Sequence, residues 1–188
     1  MKPVYSWTFC HFSSCARLTP EARQVVNALH EHQLVTKHAL DALCALLRTC
    51  SASRVPLLDF YRLFCTQSCS ICENQYGDLV YLPTWIRCCS RCVRNRASRL
   101  RVVTLASVKR VLRPSKKSLA KLLTITTVPG LYTMEERTRS SRITIVPTQS
   151  AFSVYSEGNG GSQPTPETIG KLQTQPILTF MACCALPS

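Results

Sequence analysis

Twelve of the 188 residues are cysteine, and four of them stand in two pairs, Cys69-Ser-Ile-Cys72 and Cys89-Ser-Arg-Cys92, giving the spacing C-x2-C-x16-C-x2-C. Thiolates two residues apart fold into a tight knuckle that aims both sulfurs at one point, and an intervening hairpin brings two knuckles together tetrahedrally. Cys69, Cys72, Cys89 and Cys92 are therefore the expected ligands of one zinc ion. Four protein sulfurs leave no position for water or substrate, so the expected role is structural. Two neighbours compete for the set: Cys88 to Cys92 is an x3 knuckle, and Cys65 is an alternative to Cys69. Arg87 and Arg91 are expected to favour the thiolate forms and to offset the negative charge of a four-thiolate centre. A redox C-x-x-C enzyme is the other chemistry such a pair supports, but thioredoxin-like sites open a helix within a βαβ pattern, which this sequence lacks.

Reading the cysteines as metal ligands presupposes a reducing compartment. The stretch Met1 to Phe12 has neither the continuous apolar run nor the small-residue cleavage site of an export signal, which points to cytoplasm or nucleus. No apolar run reaches the roughly 18 to 20 residues of a membrane span, Pro176 to Leu186 being too short. Other catalytic patterns are missing. There is no Ser-His-Asp or Cys-His order, no glycine-rich phosphate loop and no paired acidic cluster, and His30 and His32, two apart, point to different sides of a helix. The expectation is a binding protein, not an enzyme.

The elements around the cysteines divide the chain into five segments. Residues 1–17 show no periodicity. Residues 18–64 read as a small helical unit: Thr19-Pro20-Glu21 is a helix start with the apolar stripe Val25, Val26 and Leu29, Thr36 caps a second helix, and Leu57 to Phe64 form a third. On the second helix Leu40, Leu43, Cys44 and Leu47 fall at i, i+3, i+4 and i+7. Residues 65–95 are the zinc ribbon, with Gly77 at a turn and Tyr76, Leu79, Tyr81 and Trp85 as its small apolar surface. Residues 96–150 form a basic helical module closed by a strand over Ile143 to Val146, and 151–188 read as a disordered tail with a short apolar end. The expected fold class is mainly α with a small zinc ribbon.

Order and spacing carry a resemblance. Cys69-Ser-Ile-Cys72, Gly77, Val80-Tyr81-Leu82-Pro83-Thr84, Arg87, Cys89-x-x-Cys92, two helices and Val128-Pro129-Gly130-Leu131-Tyr132 together resemble the fungal F-box domain-containing proteins with a zinc-binding module after the F-box. Upstream, Leu18-Thr-Pro-Glu21 and Leu40 to Cys50 resemble the start and end of a degenerate F-box. The resemblance implies a substrate-recruiting adaptor of a cullin-type ubiquitin ligase. Leu40, Leu43, Leu46 and Leu47 would dock to the ligase's linker subunit as helix-in-groove anchors, and the rest would recruit a substrate protein. Without the resemblance, the same leucines read as an internal three-helix core.

A second reading comes from charge. Residues 87–142 hold 15 Lys or Arg against Glu135 and Glu136, which accounts for the whole net charge of +13. Leu105, Val108, Val111 and Leu112 mark one helix; after Arg113-Pro114, Ser115 caps another with Leu119, Leu122 and Leu123 inward. The resulting segment 105–123 is helix-turn-helix-like, with Lys116, Lys117 and Lys121 on its outer face. Its alternative function is nucleic-acid binding.

Overall fold

The computed structural model of the chain describes residues 39–95, 97–132, 137–172 and 176–186, together with positions 20, 24, 28, 30, 33, 34 and 37. Segment 1–17 and the features expected at Thr19, Glu21, Val25, Val26, Leu29 and Thr36 lie outside these residues.

Helix α1, Leu40–Arg48, buries Ala42 and Leu46, opens with Asp41 in its first turn and closes with Arg48 in its last, matching the helix dipole at both ends. It stops where Cys50 takes a left-handed backbone (φ 57°) and Thr49 turns its hydroxyl back onto the Ala45 carbonyl at 2.8 Å. Helix α2, Leu57–Cys65, begins directly after Pro56 and buries Phe60 and Leu63. The ring of Phe60 stacks on Phe64 and Trp85, with centroids 5.0 and 4.9 Å away.

Strands β1, Leu79–Tyr81, and β2, Ile86–Cys88, pair antiparallel with Leu79 opposite Cys88, and helix α3, Ser90–Arg94, follows at once. Next come β3, Val102–Thr104, α4, Leu105–Leu112, and α5, Lys116–Ala120. Thr104 and Ser115 cap these two helices by accepting the amides of Ser107 and Ser118, each at 3.1 Å. Strand β4, Ile125–Thr126, leads into the hairpin β5, Gly130–Tyr132, and β6, Arg137–Arg139, and then to β7, Thr144–Pro147. The chain continues through α6, Thr148–Gly158, α7, Pro166–Lys171, α8, Pro176–Met181, and β8, Cys183–Ala185.

Two three-stranded antiparallel sheets organise these elements, in the orders β2-β1-β8 and β3-β7-β4. The second sheet is a wall between two cores. Alternate residues of one strand face opposite sides. Val102, Ile145 and Ile125 accordingly join the core that contains Leu46, Phe60, Tyr81 and the buried cysteines, while Val103 and Val146 join the core of Val108, Leu112, Leu122, Ala151, Val154 and Leu172.

Two expectations change. The fold mixes helices with two small sheets and a hairpin around a cysteine cluster, rather than being mainly α with a single ribbon. Nor is 151–188 a disordered tail: α6 and Leu172 pack into the second core, Ile177, Leu178, Met181 and Ala182 into the first, and β8 becomes the third strand of the ribbon's sheet. The apolar end is too short to show a period of its own, and its burial depends on a partner about a hundred residues earlier. The Gly- and Pro-rich stretch within these residues is the turn between α6 and α7, where Gly160 and Gly161 take positive φ (63° and 88°). Among the described residues no helix is long and apolar enough to cross a membrane.

Candidate metal centre

The first knuckle is a turn in the backbone. The Cys69 carbonyl accepts from Glu73 at 2.9 Å, the Cys72 carbonyl accepts from Asn74 at 2.7 Å, and Glu73 takes a left-handed conformation (φ 61°) that lets the chain reverse beneath the two sulfurs. The second knuckle is the start of a helix. Cys89 is the N-cap of α3 and its sulfur accepts the Cys92 amide at 3.4 Å, so both sulfurs sit on the positive end of that helix. Hairpin β1–β2 joins them, and the Ser70 amide donates to the Arg87 carbonyl at 2.8 Å, fixing the first knuckle against β2. Asp78 anchors the opposite end by accepting both the amide of Ser90, at 2.8 Å, and its hydroxyl.

Together these elements bring the sulfurs of Cys69, Cys72, Cys89 and Cys92 within 4.8 Å of one another. Cys69 lies 3.9 Å from Cys92 and Cys72 lies 3.8 Å from Cys89. A regular tetrahedron with metal–sulfur bonds of about 2.3 Å has edges of about 3.8 Å; two edges of this set match that length and the others lie within 4.8 Å, so the four sulfurs could hold one zinc ion. Amides supply the polarity. The Ile71 and Cys89 amides donate to the Cys69 sulfur at 3.4 and 3.3 Å. Burial alone would push the Cys69 thiol up, but the amides of Cys72, Ile71 and Cys89 and a hydrogen bond with the Cys72 side chain bring it down to about 7. Burial pushes Cys92 and Cys89 up, Cys92 further raised by its sulfur neighbours. Thiolates this close repel one another, and a divalent cation would stabilise them together.

The alternatives for this set fall away. Cys88 is fully buried on β2 and outside the cluster, and Cys65 is exposed at the end of α2. Adjacent strand residues point to opposite faces, which is why Cys89 and not Cys88 faces the first knuckle.

Arg87 departs from its expected role. Its guanidinium is buried, donates to the carbonyls of Gly77 (2.6 Å), Leu63 (3.5 Å) and Thr66, and lies 4.8 Å over the ring of Tyr76. It therefore staples the end of α2 to the ribbon instead of neutralising thiolates, and the sulfurs depend on amides. Gly77 is required by this staple, since a Cβ there would meet the Arg87 Cγ at 2.4 Å. The sequence signal for the staple is the pairing of Gly77 with a later Arg87, which composition alone does not reveal.

The four leucines that the resemblance names as docking anchors separate. Leu46 is fully buried in the first core and Leu43 packs partly against it, whereas Leu40 and Leu47 are 55% and 43% exposed. Leu40, Leu43 and Leu47 lie at i, i+3 and i+7 and share one face; Leu46 belongs with Ala42 on the other.

No protein-family model, curated protein or solved structure matches the chain.

Proposed function

We propose that the protein is a non-catalytic adaptor stabilised by one structural zinc ion. The carrying observation is the four-sulfur set at tetrahedral spacing, which saturates a zinc ion with protein ligands and leaves no position at which the metal would activate water or substrate. Zinc is favoured over other cations by an all-thiolate, tetrahedral donor set. The adaptor reading rests on the resemblance of this cysteine pattern and its flanks to F-box proteins with a zinc-binding module. In that reading α1 docks to the linker subunit of a cullin-type ubiquitin ligase in the cytoplasm or nucleus, and a substrate protein is recruited elsewhere on the molecule.

Exposure on α1 supports part of the docking face. Leu40 and Leu47, with Leu43 between them, offer an apolar stripe of the kind that fills a groove. Leu46 is withdrawn from that face because its side chain is core. The test is co-purification of the zinc-loaded chain with linker and cullin subunits. Leu40→Asp with Leu47→Asp should abolish association while zinc content stays at about one equivalent, since both side chains are exposed and neither belongs to the buried core. A zinc-loaded wild-type chain that captures no linker subunit would remove the adaptor reading and leave the metal site standing.

A further inference from the structure

The excess positive charge has a definite place in the fold. Lys109 and Arg110 on α4, Arg113 at the turn, and Lys116 and Lys117 on α5 are exposed, and none has a carboxylate partner among the described residues. The neighbouring Lys121 is paired, with Glu157 of α6 at 2.6 Å. The tail that reads as disordered in the sequence adds to this surface. Helix α7 brings Lys171 and Thr168 alongside Arg110 and Arg113, and together they line a cleft of about 670 Å³. Lys171 is held there by an exposed pair with Glu167 at 2.6 Å, one turn earlier on the same helix. The connection from β4 to β7 is the hairpin β5–β6, with Arg137 and Arg139 on its second strand and Arg142 after it.

We propose that the face formed by α4, the Arg113 turn, α5 and the α7 cleft binds the phosphate backbone of double-stranded nucleic acid. Five exposed cations between Lys109 and Lys117, none with a carboxylate partner among the described residues, repel one another, a cost that an anionic partner relieves. The scarcity of exposed apolar anchors on α4 and α5 favours nucleic acid over an acidic protein; on α7, Ile169 is exposed between the lining residues Thr168 and Gly170. None of the exposed large apolar side chains, Leu40, Leu47, Leu58, Tyr76 and Ile169, lies on α4 or α5. Protein interfaces draw their affinity from buried aromatic and aliphatic anchors, whereas backbone recognition of a duplex draws it from released counterions. Segment 105–123 contains no Asn or Gln and one short second helix, so contacts to phosphate outnumber contacts to bases and recognition is independent of sequence. Arg110 and Arg113 line the cleft and supply the guanidinium donors that a phosphate takes, while the Thr168 hydroxyl is paired with that of Thr165 at 2.9 Å.

The experiment measures fluorescence anisotropy of a labelled 20-base-pair DNA duplex, and of an RNA duplex of equal length, against the zinc-loaded full chain over a salt series. Five phosphate contacts predict that the logarithm of the binding constant falls by about 4.5 per tenfold rise in salt. Arg110→Gln with Lys117→Gln should lower that slope by about 1.8, while Arg48→Gln with Arg62→Gln, which removes the same charge from exposed sites on α1 and α2, should leave it unchanged. The stronger of the two duplexes identifies the source of the phosphate backbone. Equal loss of slope in both double variants, or no duplex binding at low salt, would overturn the proposal. So would displacement by poly-glutamate at matched charge, which would assign the face to an acidic protein.

Discussion

The two sides of the sheet β3-β7-β4 are held together in different ways. On one side, Val102, Ile125 and Ile145 meet α1, α2, the ribbon and α8 in a core that includes Cys69, Cys88, Cys89 and Cys92. On the other, Val103 and Val146 meet α4, α5, α6 and Leu172 in a core of aliphatic residues with no cysteine in it. The strands of the ribbon are only three residues long, and two such strands bury too little to fold alone. A metal ion is an efficient way to fix them, since one site replaces many apolar contacts. The basic module needs no metal because capped helices and a shared sheet supply its burial. A short element gains stability from coordination, from a neighbour's apolar face, or from both; the ribbon side has an apolar core and a cysteine cluster that could hold a metal, whereas the other side has the apolar core alone.

The comparison breaks most sharply if the metal is removed. Chelation, or Cys72→Ser or Cys89→Ser, should abolish zinc binding and cost the ribbon on the order of 10 kcal/mol. Hydrogen exchange should then show protection lost from β1, β2, α3 and β8 but retained in α4 and α6. Simultaneous loss on both sides would mean that the sheet couples the cores instead of separating them. A smaller and opposite effect is expected from Leu112→Ala, which hollows the second core: about 2 to 5 kcal/mol in denaturant unfolding, with zinc content still at about one equivalent.

Gly77→Ala sharpens the comparison by leaving the sulfurs in place and disturbing only the arginine staple. Its new methyl group must displace the Arg87 side chain, at a cost of about 1 to 3 kcal/mol, with metal affinity weakened through a looser hairpin and not lost. The smallest effect concerns Tyr81, whose fully buried hydroxyl has no hydrogen-bond partner. Its burial, with Cys183 and Cys88 nearby, holds that hydroxyl protonated well above the ordinary tyrosine range. Tyr81→Phe should raise stability by about 1 kcal/mol, read as a higher melting temperature of the zinc-loaded protein, because folding no longer has to desolvate a hydroxyl that finds no partner among the described residues.

What the sequence determines by itself is whatever is written at short range. The C-x2-C pairs announce two knuckles, Ser115 announces a helix start, and the leucines of α1 announce an amphipathic helix, because each depends on neighbours within a turn or two. The symmetric x2 spacing of the second pair also favours Cys89 over Cys88. Tertiary structure alone decides what meets across long separations. It turns Leu46 into core while leaving Leu40 and Leu47 in water, since a helix stripe does not say which of its edges another element will cover. It directs Arg87 to the carbonyls of α2 and Gly77 instead of to the sulfurs, because five rigidly placed donors go where unsatisfied backbone acceptors converge. It also folds the C-terminal residues into both cores and sets β8 beside β1, since an exposed strand edge and a short apolar helix gain their stability only when the chain between them brings them together.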